Sequence, residues 1–115
     1  GFLKDHTYDK QPLKAMIVRD EDGTIRYWSK EAELIYGWRP QDVLGARTHN
    51  LFQTRFPMSL ARIEKETREK LSWKGKLIHR RRDGSLVTVN SRWNVQLNPQ
   101  NRSLTVIEVN AAGAA

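Results

Sequence analysis

Between Leu86 and Leu97 two residue classes alternate without a break. Val87, Val89, Ser91, Trp93, Val95 and Leu97 share one face of an extended chain. Leu86, Thr88, Asn90, Arg92, Asn94 and Gln96 share the other. A period of two over this length predicts a long strand with one buried and one wetter face. The preceding segment, Trp73 to Arg80, reads as its hairpin partner, joined through the turn Arg81-Arg82-Asp83-Gly84. Asn98-Pro99-Gln100-Asn101 makes the next turn, and Ser103 to Val109 closes the sheet.

Upstream the pattern differs. Leu13 to Arg19, with Ala15, Met16, Ile17 and Val18 at its centre, predicts a first strand. Asp20-Glu21-Asp22-Gly23 turns the chain, and Ile25 to Trp28 returns antiparallel. Ser29 is placed to cap a helix whose first turn carries Glu31 and Glu33, and Gly37 ends it, with Tyr36 and Trp38 as aromatic flanks. Pro40 opens a short helix ending at Leu44-Gly45, made marginal by Arg39 in the capping position. Arg47 to Thr54 predicts another short turn or helix. The longest helix is expected from Met58 to Leu71, with Leu60, Ile63, Thr67 and Leu71 as its narrow inner stripe and Glu64–Arg68 and Glu66–Lys70 pairs outside. Two strands, several helices, then three strands define an α+β domain with helices on one face of a five-stranded antiparallel sheet.

Composition narrows the chemistry. The 115 residues suit one domain and contain no cysteine, which excludes disulfides and thiolate metal sites. No apolar run approaches the roughly 20 residues of a membrane span. The net charge of +7 is concentrated around one hairpin, where Lys74, Lys76, Arg80, Arg81 and Arg82 face Asp83 alone. Such a basic surface could meet nucleic acid or an acidic partner. Without interleaved aromatics for base stacking, charges that keep a strand edge from pairing are the better reading, and no nucleic-acid partner is expected.

The stretch Ile25 to Trp38 resembles the opening of PAS sensor domains, I-x-Y-W-N-x-A-A-E-x-L-Y-G-W, with Ser29 replacing Asn and Glu31-Ala32 replacing Ala-Ala. Asp42-Val43-Leu44-Gly45 is similar to the PAS segment E-E-V-I-G. Leu51 to Pro57 resembles L-L-x-T-x-F-P of bacterial sensor-kinase PAS domains. Trp73 to Gly84 resembles W-x-G-E-L-x-H-x-R-R-D-G, with Lys76 in place of Glu, and Ser91-Arg92-Trp93 the S-R-W that follows. The resemblance covers about residues 14 to 110. It implies a PAS fold over 13–110, with 1–12 as a linker or dimerisation segment and 111–115 as a tail lacking the family's D-I-T. It further implies a sensory module of a bacterial signalling protein, a histidine kinase above all, acting in the cytoplasm with no membrane contact of its own. A homodimer, an effector domain in the same polypeptide and a small-molecule ligand are the partners it implies.

No constellation for catalysis is visible: there is no nucleophile elbow, phosphate loop or buried-looking carboxylate pair. The histidines His6, His49 and His79 lack metal-ligand spacing, so no metal is expected. Haem relatives that use a His on the long helix are disfavoured, since Met58 to Leu71 has none, and cysteinyl-flavin is disfavoured without cysteine. Non-covalent flavin between Trp73 and Trp93 stays open beside two core tryptophans, and no cofactor is the simplest expectation. The space between helices and sheet has His49, Phe52, Phe56 and Ile63 as candidate liners from the helical side. Leu77, His79, Ser91 and Trp93 are the candidates from the sheet. Apolar walls with a few polar groups describe a ligand pocket. They equally describe a filled core with satisfied polar residues.

Overall fold

The structure is a computed structural model that describes residues 13–112. The expected N-terminal segment 1–12 lies outside the described residues. Strands β1 (Lys14–Asp20) and β2 (Ile25–Trp28) lead into four helices, α1 (Lys30–Tyr36), α2 (Pro40–Val43), α3 (Thr48–Phe52) and α4 (Leu60–Lys70). Three longer strands follow: β3 (Ser72–Arg80), β4 (Leu86–Leu97) and β5 (Leu104–Ala112). The sheet order is β2-β1-β5-β4-β3 with every pairing antiparallel. The first and last strands are therefore neighbours at the centre, and β3 is an outer strand.

Local chemistry accounts for the helix ends. The Ser29 hydroxyl accepts from the Ala32 amide at 3.1 Å and from the Met16 amide at 2.9 Å, so one side chain caps α1 and fastens it to β1. Gly37 stops α1 in the left-handed conformation (φ 84°) and donates its amide to Glu33. Arg39 provides no side-chain cap for α2. Its amide instead donates to the Asp42 carboxylate at 3.3 Å, and the helix lasts four residues.

Four details differ from the sequence expectation. Helix α4 begins at Leu60 rather than Met58, because the Ser59 hydroxyl accepts from the Arg62 amide and caps it there. Leu71 is not a helical stripe residue: it is the left-handed C-cap (φ 57°) and points to solvent, leaving Ile63 and Thr67 as the buried face. Arg68 does not pair with Glu64. The β1–β2 turn brings Glu21 to 2.7 Å of Arg68, while the Glu66–Lys70 pair forms as expected at 3.1 Å. Strand β5 also runs past Val109 through Ala112, two residues into the expected tail, held by register with both β1 and β4.

The core lies between the helices and the inner face of the sheet. Phe52 is fully buried and packs on Trp28 (ring centroids 5.8 Å), Tyr36 (4.4 Å) and His79 (4.1 Å). On the same inner face, Trp73 and Trp93 face each other across β3 and β4 with centroids 4.9 Å apart. The Trp73 ring lies back over Gly75, where an added Cβ would come within 2.6 Å of the six-membered ring. That ring is wedged against Trp93 and has little room to yield. Gly75→Ala is therefore expected to cost about 1–3 kcal/mol through overpacking. Urea unfolding of the variant checks this, and an unchanged midpoint would show that the tryptophan pair relaxes freely.

Candidate functional site

The inner face of the sheet carries a connected set of polar side chains inside the apolar core. Arg19 follows Ala15 and Ile17 on the inward face of β1, and Glu108 lies diagonally across from it on β5. Arg19 Nε donates to Glu108 Oε1 at 2.8 Å, with side chains only 3% and 2% exposed. The Arg19 guanidinium also rests 4.4 Å from the Trp93 ring centroid.

Asn110, directly opposite Ser91 on β4, joins this ion pair to the rest. Its amide nitrogen donates to Glu108 Oε2 at 2.9 Å and to the Tyr36 hydroxyl at 3.1 Å. Because the Tyr36 oxygen accepts from Asn110, its own proton is free to donate to His79 Nδ1 at 2.8 Å. That direction assigns His79 the tautomer protonated at Nε2. On the opposite side Trp93 Nε1 donates to Ser91 Oγ at 3.0 Å, and Ser91 donates to Asn110 Oδ1. One continuous chain of hydrogen bonds thus links α1, β1, β3, β4 and β5.

Electrostatics follow from this burial. Desolvation on its own would raise the Glu108 carboxyl, but the Arg19 charge, with hydrogen bonds from Arg19 and Asn110, outweighs it and holds the group below its ordinary value. Burial lowers His79 to about 4, against the pull of Glu108, so its imidazole is neutral at pH 7. Burial, then the Glu108 charge, pushes the Tyr36 phenol well above its ordinary value. The arrangement is a buried ion pair extended by neutral donors and acceptors.

Of the residues singled out in the sequence, Phe52, Ile63, Leu77, His79, Ser91 and Trp93 are buried in this core. His49 and Phe56 are half-buried at its rim, their rings edge to face at 5.3 Å. Ser91, Trp93 and His79 join the network, whereas Phe52 stacks on His79. Burial lowers the His49 imidazole as well. Sequence reasoning missed Arg19, Tyr36, Glu108 and Asn110. The alternation Ala15–Ile17–Arg19, carried one step further, is the signal that places Arg19 inward.

A cavity of about 20 Å³ remains at the α4 end of the core, between Arg19, His49, Thr67, Trp93, Val95 and Val106. It has room for roughly one water molecule. Among the described residues no group of three or more His, Asp or Glu side chains is placed to hold a metal ion, and no helix is long and apolar enough to cross a membrane.

The basic residues of the hairpin divide between the outer face of β3 and the end of α1. Lys74 and Lys76 are exposed on the outer face of β3. Arg80 is half-buried. Arg81 Nε donates to the Ile35 carbonyl at 3.0 Å and the Arg82 amide to the Tyr36 carbonyl at 2.9 Å. These two arginines satisfy the last carbonyls of α1, where positive charge is favoured.

The fold is a small α+β domain with helices on one face of an antiparallel sheet and a hydrogen-bonded polar core. The chain matches the PAS family (PAS fold) over residues 14–109 and belongs to it. Among solved structures it is similar to a PAS domain from Colwellia psychrerythraea, with a TM-score of 0.74, 18% identity and 98% of each chain covered. It is also similar to the PAS-B domain of Drosophila melanogaster Cycle with bound ethylene glycol (TM-score 0.70, 19% identity, 86% of this chain and 99% of that one). A PAS domain from a two-component sensor histidine kinase aligns at TM-score 0.69 and 15% identity, over 96% of this chain and 95% of that one. No curated protein matches the chain. These likenesses establish a shared fold, and the family defines a sensory or regulatory domain without catalysis of its own.

Proposed function

We propose that this domain is the sensor of a bacterial signalling protein, a histidine kinase above all, and relays ligand or partner binding to an effector domain in the same polypeptide. The observation that carries this reading is the meeting of the described chain ends at the buried network. Strands β1 and β5 lie side by side, with the Ala112 amide donating to the Leu13 carbonyl at 3.1 Å, so both flanking segments leave from one place. Asn110, the junction of the network, pairs with Ala15 just inside that exit. A molecule that displaces one hydrogen bond of the network favours one of two arrangements of β5 against β1, and the flanking segments carry the difference outward. The similarity to a sensor-kinase PAS domain supports the parent type, and the ethylene glycol bound by the Cycle domain supports a small hydroxylic ligand. The sequence-derived liners, from His49 and Phe56 at the rim to Ser91 and Trp93 on the sheet, would surround the occupant.

A second reading, a cofactor-free module for homodimerisation, is favoured by the outer face of the sheet. There Met16 and Tyr27 are 43% and 50% exposed beside half-buried Val18, Ile107 and Val109. Native mass spectrometry set beside the denatured mass separates the two. The sensor reading expects extra mass that is released on denaturation. A bare mass at twice the chain supports the dimer module, in which case deleting residues 1–12 should abolish association, and a bare monomer contradicts both.

A further inference from the structure

The buried ion pair leaves one donor unused, and the cavity beside it opens toward negative charge. Arg19 spends Nε on Glu108, but its Nη2 is buried and has no hydrogen-bond partner. Arg19 forms part of the wall of the 20 Å³ cavity. The Thr67 hydroxyl, also buried there, donates to the Ile63 carbonyl at 2.7 Å and makes no bond to Nη2. A buried guanidinium nitrogen without an acceptor costs free energy that an entering oxygen would restore.

Outside the cavity, an open groove of about 560 Å³ is lined by Asp20, Glu21, Asp22, Glu64 and Arg68. Glu21, Glu64 and Arg68 border both spaces, so the 2.7 Å Arg68–Glu21 bridge stands as a partition between them. That bridge is solvent-exposed and weak, which lets it open readily. Asp20 is neutralised by Arg26 and Asp22 lies 3.7 Å from Arg47. Glu64, half-buried at the mouth, has no ion pair among the described residues.

We propose that this cavity and groove form a binding site for a small organic cation carrying a hydroxyl or carbonyl group, whose oxygen accepts from Arg19 Nη2 while its ammonium lies against Glu64. The inference rests on the ligand-sensing reading above and names the chemical class of the ligand. Anions are disfavoured by the carboxylates of the groove, and a plain amine leaves Arg19 unsatisfied. Occupation would press directly on the Arg19–Glu108 pair, which ties it to the network and to β5.

The test is a titration followed by 1H–15N NMR, including the arginine Nε signals. The probes are ω-amino alcohols of two to six methylenes, set against matched n-alkylamines, diols and ω-hydroxy acids. At least one amino alcohol should give saturable shifts at Arg19 and around Glu64, with the matched amine and diol weaker by about tenfold or more and the hydroxy acid silent. Glu64→Gln, a change at the rim that leaves the core intact, should bring the amino alcohol down to the level of the diol. Equal binding of amine and amino alcohol would overturn the role of Arg19, and equal binding of the diol the role of Glu64. No saturable shift with any amino alcohol would overturn the site, showing that the cavity takes water only. The sensor reading is decided separately by the native mass: released mass of another chemical class would sink this inference and leave that reading standing.

Discussion

Replacing Glu108 with alanine destabilises the domain by about 3–5 kcal/mol, the cost of leaving a buried charge without its partner. Arg19 is 3% exposed and cannot turn to water, so its guanidinium stays buried with only the Trp93 face beside it. Asn110 loses an acceptor at the same time, leaving one of its amide protons unpaired. A domain of this size has about 5–15 kcal/mol of stability in total, so the variant stands near the edge of folding. Glu108→Gln keeps the shape and is the measurable companion, with a smaller loss of the same sign. The pair Arg19→Met with Glu108→Met removes both charges and should recover most of the stability, because a well-packed apolar pair often equals a buried ion pair. Urea midpoints at constant m-value read all of these. A loss under about 1 kcal/mol for Glu108→Ala would mean that water reaches Arg19 and that the pair is not buried as described.

Acidification weakens the fold through His79. Its folded value is about 4, whereas an unfolded histidine titrates near 6.5. Between those values the unfolded chain binds the proton and the folded one does not, so stability is fully present above about pH 6.5 and falls as the pH drops toward 4. The shift corresponds to a loss of about 3 kcal/mol across that window. Glu108 adds a loss of the same direction at lower pH, since its carboxyl is held below the ordinary value and must be protonated against Arg19. His49 contributes with the same sign, because burial lowers it too. His79→Phe retains the ring stack on Phe52 and should flatten the slope between pH 6.5 and 4, while costing about 1 kcal/mol at neutral pH for the lost acceptor of Tyr36. Unfolding free energies at pH 7, 5.5 and 4.5 check this. A flat profile in the unmodified protein would show that His79 is open to solvent.

How legible these features are in the sequence depends on the range of the interactions that make them. Strand β4 begins and ends where alternation says it should, and the Ser29 and Gly37 ends of α1 follow from capping chemistry within a few residues. The partner of Arg68 is not legible: helical spacing points to Glu64, and a turn 47 residues away provides Glu21 instead. Strand β5 misleads more seriously. Its apolar residues Ile107 and Val109 face outward, and Glu108 and Asn110 face the core, where Glu108 accepts from Arg19 and Asn110 donates to Tyr36. Tyr36 reads locally as an aromatic flank of α1, yet it is fully buried and joins Asn110 to His79. The free space in the core depends on how Arg19, Thr67 and Trp93 pack, and no local pattern encodes a cavity of that size.

A single buried network joins α1 to the paired end strands β1 and β5 and to β3 and β4. Long-range 1H–15N NMR of the His79 imidazole tests it most directly, since the signals report tautomer and titration together. The account predicts a neutral ring protonated at Nε2, with Nδ1 accepting from Tyr36, that titrates only near pH 4. A ring protonated at Nδ1, or one that titrates near 6.5, would contradict it: Tyr36 would not be donating, and the link from α1 to β3 would not be the buried one described.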